Sequence, residues 1–448
     1  MKQKIYNVLP LFFKNILVTI YNLRFFKIYG AEYKDKLNEA SDFYHNKSRE
    51  ELLEIQRERL IEFWYNARNN NKFYAGSEYD FEVNSVEDLK KLPILTKEHL
   101  RREDIKSGYY EQNLIKGNTG GSTGKSLEFY MTQCDFIQRQ ATLNFFRGIY
   151  GYKIGSKIGW FSGKEIITDK EVLRNKFWVK DYLHNITYFS TFHLSEKSLD
   201  SMIYEINKSG IEYLSGFPSA IYDLAKQWDK SKKPVNTKIK AIFPTAEPLH
   251  EYQKQFLEDF FNCHVPDQYA SSEGTHFIYE CPEGKLHYDL TTGVFETLSD
   301  DSNEVLVTSF TTNEMPLIRY RIGDGITFSD SSSQCECGTY MPIVKSIIGR
   351  SVAYVYSKER GRITVSNISN VVKYLKVIDN IQLVQINEDL IKVKVALDLS
   401  IDREDIINKL EYELRYRLGD EIELEYEFME RIPTEPNGKY LMIKNMLV

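Results

Sequence analysis

The stretch 118-NTGGSTGKSLEFY-130 places three glycines, four hydroxyl side chains and a lysine within its first nine residues. These residue types suit phosphate, because glycine lets the backbone approach phosphate oxygens, and N–H groups, hydroxyls and an ammonium donate hydrogen bonds to them. Three known motifs share part of these letters. Each requires a different secondary structure around the loop, so the residues that follow the loop decide among them.

Two of the motifs place a helix directly after the loop. A P-loop, G-x-x-x-x-G-K-[ST], would end at residues 124–126, but its first glycine falls on Thr119. A hydrolase elbow, G-x-S-x-G, matches residues 120–124 letter for letter and would make Ser122 a nucleophile. Residues 127–131, LEFYM, instead have the composition of a strand, and helical spacing begins only afterwards. The context therefore argues against both motifs.

The third motif is a Gly/Ser/Thr loop between two strands that wraps the β- and γ-phosphates of ATP. Its N–H groups, hydroxyls and lysine would neutralise pyrophosphate as it leaves. This interpretation agrees with the strand after the loop. It predicts nucleotide-binding residues at Thr119, Ser122, Thr123, Gly124 and Lys125.

Composition sets limits on the partners of the chain. With 448 residues, 42% of them hydrophobic and 27% charged, the chain is typical of a folded protein of two or three domains. A net charge of −6 gives no bulk electrostatic support to a nucleic-acid partner. The five cysteines are an odd number without a disulfide pattern, which favours a reducing compartment. We therefore expect a cytoplasmic protein.

The N-terminal segment, residues 1–47, begins with a basic and aromatic stretch. Its first 31 residues contain five basic side chains and no acidic one. Lys14 and Arg24 divide its apolar residues into the runs 5–13 and 15–23, each far shorter than the ~20 residues that span a bilayer. Two interpretations stay open. The segment lies on an anionic membrane surface, at the inner face of the membrane, or it packs on the core of its own domain.

The pattern of the chain predicts an α/β fold with two parts. Strand-like runs alternate with helical patterns up to about residue 345, which favours a large layered body over residues 1–350. Residues 351–448 form a smaller, more regular α+β pattern that suits a mobile cap, hinged near Gly349 and Arg350. The clearest elements are helices at 48–66 and 402–418 and strands at 156–162, 238–247, 303–310, 381–386, 390–397 and 421–428.

Six motifs occur in an order that resembles the adenylate-forming enzymes. The chain is most similar to the phenylacetate–CoA ligase branch and, within it, to the CapK-like proteins of capsular polysaccharide gene clusters. The resemblance runs from about residue 50 to 445. Its motifs are NTGGSTGKS (118–126), PTAEPL (244–249), YASSEG (269–274), PLIRYRIGD (316–324), GR (349–350) and PTEPNGKY (433–440).

The resemblance implies a two-step reaction and a set of cofactors. A carboxylic acid and ATP would give an acyl adenylate and pyrophosphate, with Mg²⁺ on the phosphates. The acyl group would then pass to coenzyme A, or to an amine or hydroxyl on a sugar in polysaccharide biosynthesis. Relatives of this branch are often homodimers, so the resemblance makes a homodimer an expectation.

The resemblance also assigns roles to individual residues. Asp324 would accept hydrogen bonds from the ribose hydroxyls, Tyr269 would offer a flat face to adenine, and Glu273 resembles the magnesium-associated carboxylate. Arg350 resembles the hinge-adjacent arginine that reaches the ribose or a phosphate. The family has a segment that passes along the adenine edge, and Ala246, Glu247 and Pro248 resemble it. The family often continues after the arginine with acidic residues, whereas this chain has the sequence SVA at 351–353.

Lys439 matches the catalytic lysine of the cap. It lies in a Pro/Gly-rich loop that starts at Pro433 and ends at Gly438. A lysine on a mobile cap brings its charge to the carboxylate and α-phosphate only when the cap closes. There it would offset the charge that develops as the carboxylate attacks phosphorus.

Four further residues have the composition of a structural zinc site. Cys335 and Cys337 form a tight C-x-C turn, and Cys281 and His287 give C-x5-H. Together they supply four ligands of the kind that tetrahedral zinc prefers. Such a site would pin the excursion of the chain at 325–345. The alternative is a set of ordinary thiols in a loop.

Two alternatives to a ligase remain. The first is a non-catalytic scaffold that keeps the adenylate-forming fold and joins a membrane-associated polysaccharide assembly. The presence of Asp324, Glu273 and Lys439 argues against it, because a scaffold needs none of these side chains. The second is a serine hydrolase that acts through Ser122 without ATP.

Overall fold

The computed structural model describes residue 6 and residues 8–447, apart from 108–112, 119–126, 164–165, 300–301, 330–332, 351–353, 366–367, 369–370, 373–374, 376, 399, 401–402 and 436–438. Among the described residues, no helix is both long and apolar enough to cross a bilayer.

The helices of the described chain are numbered here in chain order. They are α1 (Leu11–Phe26), α2 (Ala31–Asn46), α3 (Arg49–Asn70), α4 (Gln133–Ile149), α5 (Asp169–Leu173), α6 (Glu196–Ser209), α7 (Pro218–Ser231), α8 (Glu251–Phe261) and α9 (Arg403–Leu418).

The strands are numbered in the same way. They are β1 (Ile115–Asn118), β2 (Glu128–Met131), β3 (Ile158–Ser162), β4 (Trp178–Asp181), β5 (Ile186–Ser190), β6 (Tyr213–Gly216), β7 (Ala241–Pro244), β8 (Gln268–Tyr269), β9 (Ile278–Glu280), β10 (Leu286–Tyr288), β11 (Gly293–Thr297), β12 (Glu304–Ser309), β13 (Leu317–Phe328), β14 (Ile343–Arg350), β15 (Tyr354–Ser357), β16 (Gly361–Thr364), β17 (Asn380–Gln385), β18 (Leu390–Ala396), β19 (Glu423–Met429) and β20 (Ile443–Asn445).

The chain divides into two compact units, each made of separate segments. The first unit contains residues 1–19, 155–265 and 349–448, and the second contains residues 20–154 and 266–348.

A five-stranded sheet in the order β4-β5-β3-β6-β7 forms the centre of the first unit. β5, β3, β6 and β7 run parallel, and β4 pairs antiparallel at the edge. All four residues of β6 and of β7 are buried, as expected for central parallel strands covered by helices on both faces. α6 and α7 place Met202, Ile206, Ile221, Leu224 and Trp228 in the same apolar core.

The C-terminal part of the first unit has its own sheet, in the order β19-β18-β17-β20. α9 packs on this sheet through Leu410, Leu414 and Leu418, which share a core with Ile391 and Val393 of β18. The spacing of these leucines along one helical face is the pattern from which the helix is predicted. This part is the α+β element that the sequence predicts for the C-terminal region.

The second unit is built on a seven-stranded sheet in the order β11-β12-β13-β14-β10-β9-β8. A separate hairpin pairs β1 with β2 antiparallel, with Asn118 opposite Glu128. The glycine-rich loop therefore connects two strands, which is the context that distinguishes it from a P-loop and from a hydrolase elbow. α4 follows at once, and Thr132 caps it in a capping box with Asp135.

The elements predicted from sequence are present with small shifts of their ends. The predicted helix at 48–66 is α3, which extends to Asn70. The C-terminal region from residue 349 groups with residues 155–265 in one compact unit. The division into a body over residues 1–350 and a mobile cap over 351–448 stays a prediction.

Candidate functional site

Tyr269 and Asp324, the predicted adenine and ribose contacts, touch each other. Tyr269 ends β8, and its hydroxyl donates a 2.8 Å hydrogen bond to Asp324 Oδ2 on β13. Burial raises the pKa of the Tyr269 hydroxyl well above its ordinary value, and the negative charge of Asp324 raises it further. The phenol therefore stays protonated and orients the carboxylate. An oriented carboxylate beside an aromatic ring suits a ribose diol next to a flat base.

The turn at 271–276, which carries Glu273, is fixed by its own hydroxyl groups. Ser271 Oγ accepts hydrogen bonds from the N–H groups of Gly274 and Thr275 at 3.2 and 3.1 Å. Thr275 Oγ1 accepts a hydrogen bond from the Ser271 N–H at 2.8 Å. Side chains of this kind replace the regular backbone ladder in tight turns. The backbone at Glu273 therefore has a defined position.

Arg139 of α4 holds the same turn from the inside. Its guanidinium donates to the Glu273 carbonyl at 3.3 Å and to the Thr311 carbonyl at 2.7 Å. Gly274 has a φ of +111°, and a Cβ at this position would lie 1.7 Å from Arg139 Nη2. Only glycine fits here. Burial lowers the pKa of Arg139 to about 10, and the side chain remains cationic at neutral pH.

No sequence motif identifies Arg139. The available signal is an arginine in the middle of a helix whose neighbours Ile137, Ala141 and Phe145 are buried. Such an arginine needs acceptors nearby, but its partners lie 134 and 172 residues away along the chain.

Glu273 presents a carboxylate that suits a hard cation. It is partly exposed on the fixed turn, and carboxylate oxygens are the ligands that Mg²⁺ prefers in proteins. Mg²⁺ usually takes one or two protein carboxylates and completes its shell with phosphate oxygens and water. The residue at this position therefore fits the predicted group.

Glu247 connects β7 to the C-terminal loop within the first unit. Its Oε2 accepts hydrogen bonds from Ser219 Oγ at 2.7 Å and from the Ser219 N–H at 3.3 Å, at the start of α7. Its Oε1 accepts the N–H of Tyr440 at 2.6 Å. Ala246, the preceding residue, has a φ of +69°, which is uncommon for a residue with a Cβ and is frequent at functional sites. Glu247 is thus a bridge between two segments that are 193 residues apart.

The bridging carboxylate titrates abnormally. Burial raises the pKa of Glu247 to about 7, although the hydrogen bonds from Ser219 and Tyr440 and the charge of Lys439 lower it. Burial outweighs these four favourable interactions, two of which come from Ser219. Glu247 therefore changes its charge near neutral pH.

Lys439 lies beside this bridge. It immediately precedes Tyr440, whose N–H is held by Glu247, and its carbonyl accepts a 2.8 Å hydrogen bond from the Glu435 N–H. The positive charge of Lys439 acts on the Glu247 carboxylate. The structure thus brings together Lys439 and Glu247, which the sequence assigns to separate motifs.

Three further contacts join the C-terminal part to residues 155–265 within the first unit. Arg431 forms a 2.7 Å ion pair with Asp223 of α7, and Lys226 forms a 3.0 Å ion pair with Asp379. The Tyr252 hydroxyl donates a 2.6 Å hydrogen bond to Asn380 Oδ1. Together with the bond from Tyr440 to Glu247, they attach the C-terminal part to residues 155–265. None of these pairs has a recognisable signature in the sequence.

A candidate metal centre lies in the second unit. Cys281, His287, Cys335 and Cys337 place one ligand atom each within 4.8 Å of one another. Around a tetrahedral zinc with Zn–S bonds of about 2.3 Å, neighbouring sulfur atoms lie about 3.8 Å apart. The four predicted residues therefore converge at a separation that needs only small shifts to bind zinc.

The histidine of this cluster is oriented for coordination. His287 Nδ1 lies 2.9 Å from the carbonyl of Met341, and a carbonyl only accepts, so Nδ1 carries the proton. Nε2 then keeps its lone pair and lies 3.7 Å from Cys337 Sγ. A backbone carbonyl that fixes the tautomer in this way is the usual partner of a zinc-bound histidine. Burial raises the pKa of the Cys281 thiol to about 12, and a bound cation would displace its proton.

Several predicted residues lie outside the described part of the chain. They are the loop residues Thr119, Ser122, Thr123, Gly124 and Lys125, together with the side chain of Arg350, whose backbone ends β14. Pro248 and Ala246 are exposed next to Glu247.

Comparisons with known proteins concern the family and the fold. The family described as the CapK C-terminal domain matches residues 355–446. Protein CapK of Staphylococcus aureus is 33% identical to this chain over 461 residues, and the alignment covers 98% of each protein.

Solved structures share the fold at low sequence identity. A 2-hydroxyisobutyryl-CoA ligase in its postadenylation state, in complex with R3-HIB-AMP, superposes with a TM-score of 0.73 at 14% identity, over 90% of this chain and 91% of the ligase. The same ligase with 2-HIB-AMP and CoA, in its thioesterification state, gives a TM-score of 0.58 at 15% identity, over 91% and 92% of the two chains. The predicted α/β fold of the adenylate-forming ligases, with a small C-terminal domain, is confirmed.

Proposed function

Because the chain belongs to the CapK family and has the fold of the adenylate-forming ligases, we propose that it is an AMP-forming carboxylate ligase of the phenylacetate–CoA ligase-like branch. It would convert a carboxylic acid and ATP into an acyl adenylate and pyrophosphate, and then transfer the acyl group to an acceptor. The observation that carries this proposal is the contact between Tyr269 and Asp324, on a fold shared with a ligase that holds an acyl-AMP.

Asp324 and Tyr269 would bind the adenosine part of ATP. The Tyr269 hydroxyl donates its hydrogen bond to Asp324 Oδ2, so the ring is held at a fixed angle beside the carboxylate. A carboxylate accepts two hydrogen bonds from a ribose diol with good geometry. The turn fixed by Arg139 would then present Glu273 toward the phosphates. Mg²⁺ held by Glu273 would offset the negative charge of the polyphosphate.

Lys439 would supply the positive charge at the reacting centre. The bond between the Tyr440 N–H and Glu247 sets the course of the backbone next to Lys439. A preorganised cation stabilises negative charge that develops in the transition state, and it requires no reorganisation when the reaction occurs. Glu247 would thus be a positioning residue for Lys439 rather than a nucleotide contact alone.

The acyl acceptor has two candidates of different chemistry. Coenzyme A would give a thioester, and an amine or hydroxyl on a sugar would give an amide or ester in polysaccharide biosynthesis. The second candidate follows from the resemblance to the CapK-like proteins of capsular polysaccharide gene clusters, and the Staphylococcus aureus relative is a protein CapK. Both routes pass through the same acyl adenylate.

We also propose a structural zinc at Cys281, His287, Cys335 and Cys337. These ligands tie the C-x-C turn at 335–337 to the β9–β10 hairpin. A closed set of three thiolates and one imidazole leaves no coordination position for a substrate, so zinc would stabilise the fold rather than act in the reaction.

The test of the function is carboxylate-dependent exchange of labelled pyrophosphate into ATP. A panel of aryl, fatty and hydroxy acids is assayed with and without coenzyme A. We expect exchange with one class of acid in the absence of coenzyme A, because the adenylation half-reaction needs no acceptor. Protein that binds ATP but gives no exchange with any acid would favour the scaffold over the ligase.

A further inference from the structure

The helix α1 buries polar side chains on its inner face and exposes a stripe of apolar side chains on its outer face. Lys14 and Asn15 are buried, whereas Phe12 and Phe13 are 63% and 52% exposed. The apolar side chains at neighbouring positions, Val8, Ile16 and Leu17, are also exposed. A surface helix of a globular domain normally has the opposite arrangement. An exposed face of this kind indicates an interaction site.

The inner face anchors the helix firmly on the first unit. Lys14 Nζ forms a 2.6 Å ion pair with Glu171 of α5, and both side chains are almost fully buried. Asn15 Nδ2 donates to the Tyr182 hydroxyl at 3.1 Å, and Asn15 Oδ1 accepts the N–H of Lys180 at 3.0 Å. Leu11 and Val18 pack against the core of this unit. The inner face of α1 thus packs on the core of its own domain, which is one of the two interpretations of the N-terminal segment. This packing leaves the outer face exposed.

The segments that hold α1 add further exposed apolar side chains. Leu173, two residues after the partner of Lys14, is 85% exposed. Tyr182, the partner of Asn15, and the next residue Leu183 are 61% and 59% exposed. We define the exposed apolar side chains of residues 8–17, together with Leu173, Tyr182 and Leu183, as the apolar platform.

The exposed charges nearest in sequence to Leu173 and Tyr182 are basic, and we call them the basic rim. Among the described side chains of residues 166–184, the exposed charged groups are Lys170, Arg174 and Lys176. Two acidic residues, Glu196 and Asp200, line the same surface groove as Arg174 and Lys176 of this rim. The carboxylates of Glu171 and Asp181 are buried and engaged by Lys14 and His184. The first 31 residues of the chain contain no acid, although the whole chain has a net charge of −6. A basic rim on an acidic protein is complementary to an anionic surface.

We propose that the apolar platform docks on an anionic lipid surface. The aromatic and aliphatic side chains would enter the boundary between headgroups and acyl chains, and the basic rim would pair with lipid phosphates. A second copy of this chain would bring two basic rims together, and like charges oppose that contact. A peripheral position fits a chain whose described helices are too short or too polar to cross a bilayer.

Sedimentation with lipid vesicles tests the proposal independently of any enzymatic activity. The full chain is mixed with vesicles of phosphatidylcholine alone and with vesicles that contain equal amounts of phosphatidylcholine and phosphatidylglycerol. We expect binding to the anionic vesicles that weakens when salt is raised, because screening removes the attraction of the rim. The double variant Phe12→Ser, Phe13→Ser is expected to bind about tenfold more weakly or worse, since burying two phenyl rings contributes well over this factor.

A matched control is available on α9, outside the apolar platform. Tyr412 and Tyr416 of α9 are 70% and 72% exposed, so Tyr412→Ser, Tyr416→Ser removes two aromatic rings that are more exposed than Phe12 and Phe13. Leu173→Ser gives a second reading of the platform that leaves α1 intact. Thermal unfolding of each variant reports whether it folds.

Three results would overturn the proposal. They are unchanged vesicle binding by the Phe12→Ser, Phe13→Ser variant, equal binding to neutral and anionic vesicles, and no vesicle binding by a wild-type chain. In the last case, a dimer in light scattering that becomes a monomer in the double variant would reassign the platform to a second copy of the chain.

Discussion

Replacing Glu247 by alanine is expected to release the loop that carries Lys439. The change removes the acceptor of the Tyr440 N–H at 2.6 Å and of the Ser219 hydroxyl at 2.7 Å. A buried donor that loses its acceptor costs roughly 1–3 kcal/mol, so the Tyr440 N–H and the Ser219 hydroxyl together cost about 2–6 kcal/mol. Part of this free energy appears as easier local opening of the loop, because water can solvate the Tyr440 N–H once Tyr440 moves out of its buried position.

Amide hydrogen exchange measures this release directly. If 2 kcal/mol of the loss falls on local opening, exchange in a peptide that contains Tyr440 rises by about 30-fold. Glu247→Gln keeps an acceptor oxygen and is expected to retain most of the protection. Glu411→Ala is a suitable control, because Glu411 also accepts hydrogen bonds, from Tyr426 and Arg415, but lies on α9 away from the loop.

The rate of adenylation should fall together with the protection. Lys439 is positioned by the backbone that Glu247 holds, so a mobile loop presents its charge for less of the time. If Glu247→Ala leaves the exchange of the Tyr440 peptide unchanged, or changes it no more than Glu411→Ala does, the positioning role of Glu247 is wrong.

Three other changes have expected outcomes. The pKa of Glu247 is raised from the ordinary 4.5 to about 7, so its contribution to the free energy of unfolding is fully present below pH 4.5 and is lost as the pH rises through 7. In urea unfolding, the wild-type free energy of unfolding should fall by at most about 3 kcal/mol over this range, less for partial exposure, and Glu247→Gln should remove this fall. An unchanged pH profile in the variant would contradict the prediction. Cys337→Ser should weaken zinc binding by about 100-fold or more, as measured by elemental analysis, whereas Cys134→Ser, outside the cluster, should not; wild-type protein without zinc would remove the site. Asp324→Asn should raise the KM for ATP by about tenfold or more, because hydrogen bonds to a charged group contribute about 1.5–3 kcal/mol. Tyr269→Phe should have a smaller effect, because it keeps the ring. An unchanged KM for Asp324→Asn would exclude the ribose contact.

Local patterns in the sequence predict much of the fold. The five residues after the glycine-rich loop have strand composition, and β2 and the capped helix α4 follow in that order. The leucines of α9 recur at helical spacing and all face one core. These predictions succeed because hydrophobic periodicity and helix caps depend on neighbouring residues.

Contacts between distant residues account for what the sequence does not reveal. Lys14 reads as a charge that interrupts an apolar run, yet Glu171 allows it to be buried. Glu247 reads as part of a nucleotide segment, yet its observed partners are Ser219 and Tyr440. The positions of Lys14 and Glu247 depend on partners that are more than a hundred residues away or on another element. No local sequence pattern predicts such a pairing.

The candidate site follows the same rule. The resemblance of motifs selects Tyr269 and Asp324, and their contact is a property of the fold. The four metal ligands are selected by residue type and spacing, and they converge as predicted. Arg139, which fixes the turn at Glu273, has no motif and is found only through its hydrogen bonds.

The most direct test of the central claim is a single turnover with ATP labelled at its α-phosphate. The protein is mixed in excess with this ATP and with the acid that supports pyrophosphate exchange, without coenzyme A or any other acceptor. We expect the label to pass into an acyl adenylate. We also expect Lys439→Ala to slow this step by roughly 100-fold, the loss typical of removing a charge-stabilising donor. Label that appears in ADP, or an acyl adenylate that forms equally fast without Lys439, would contradict the account.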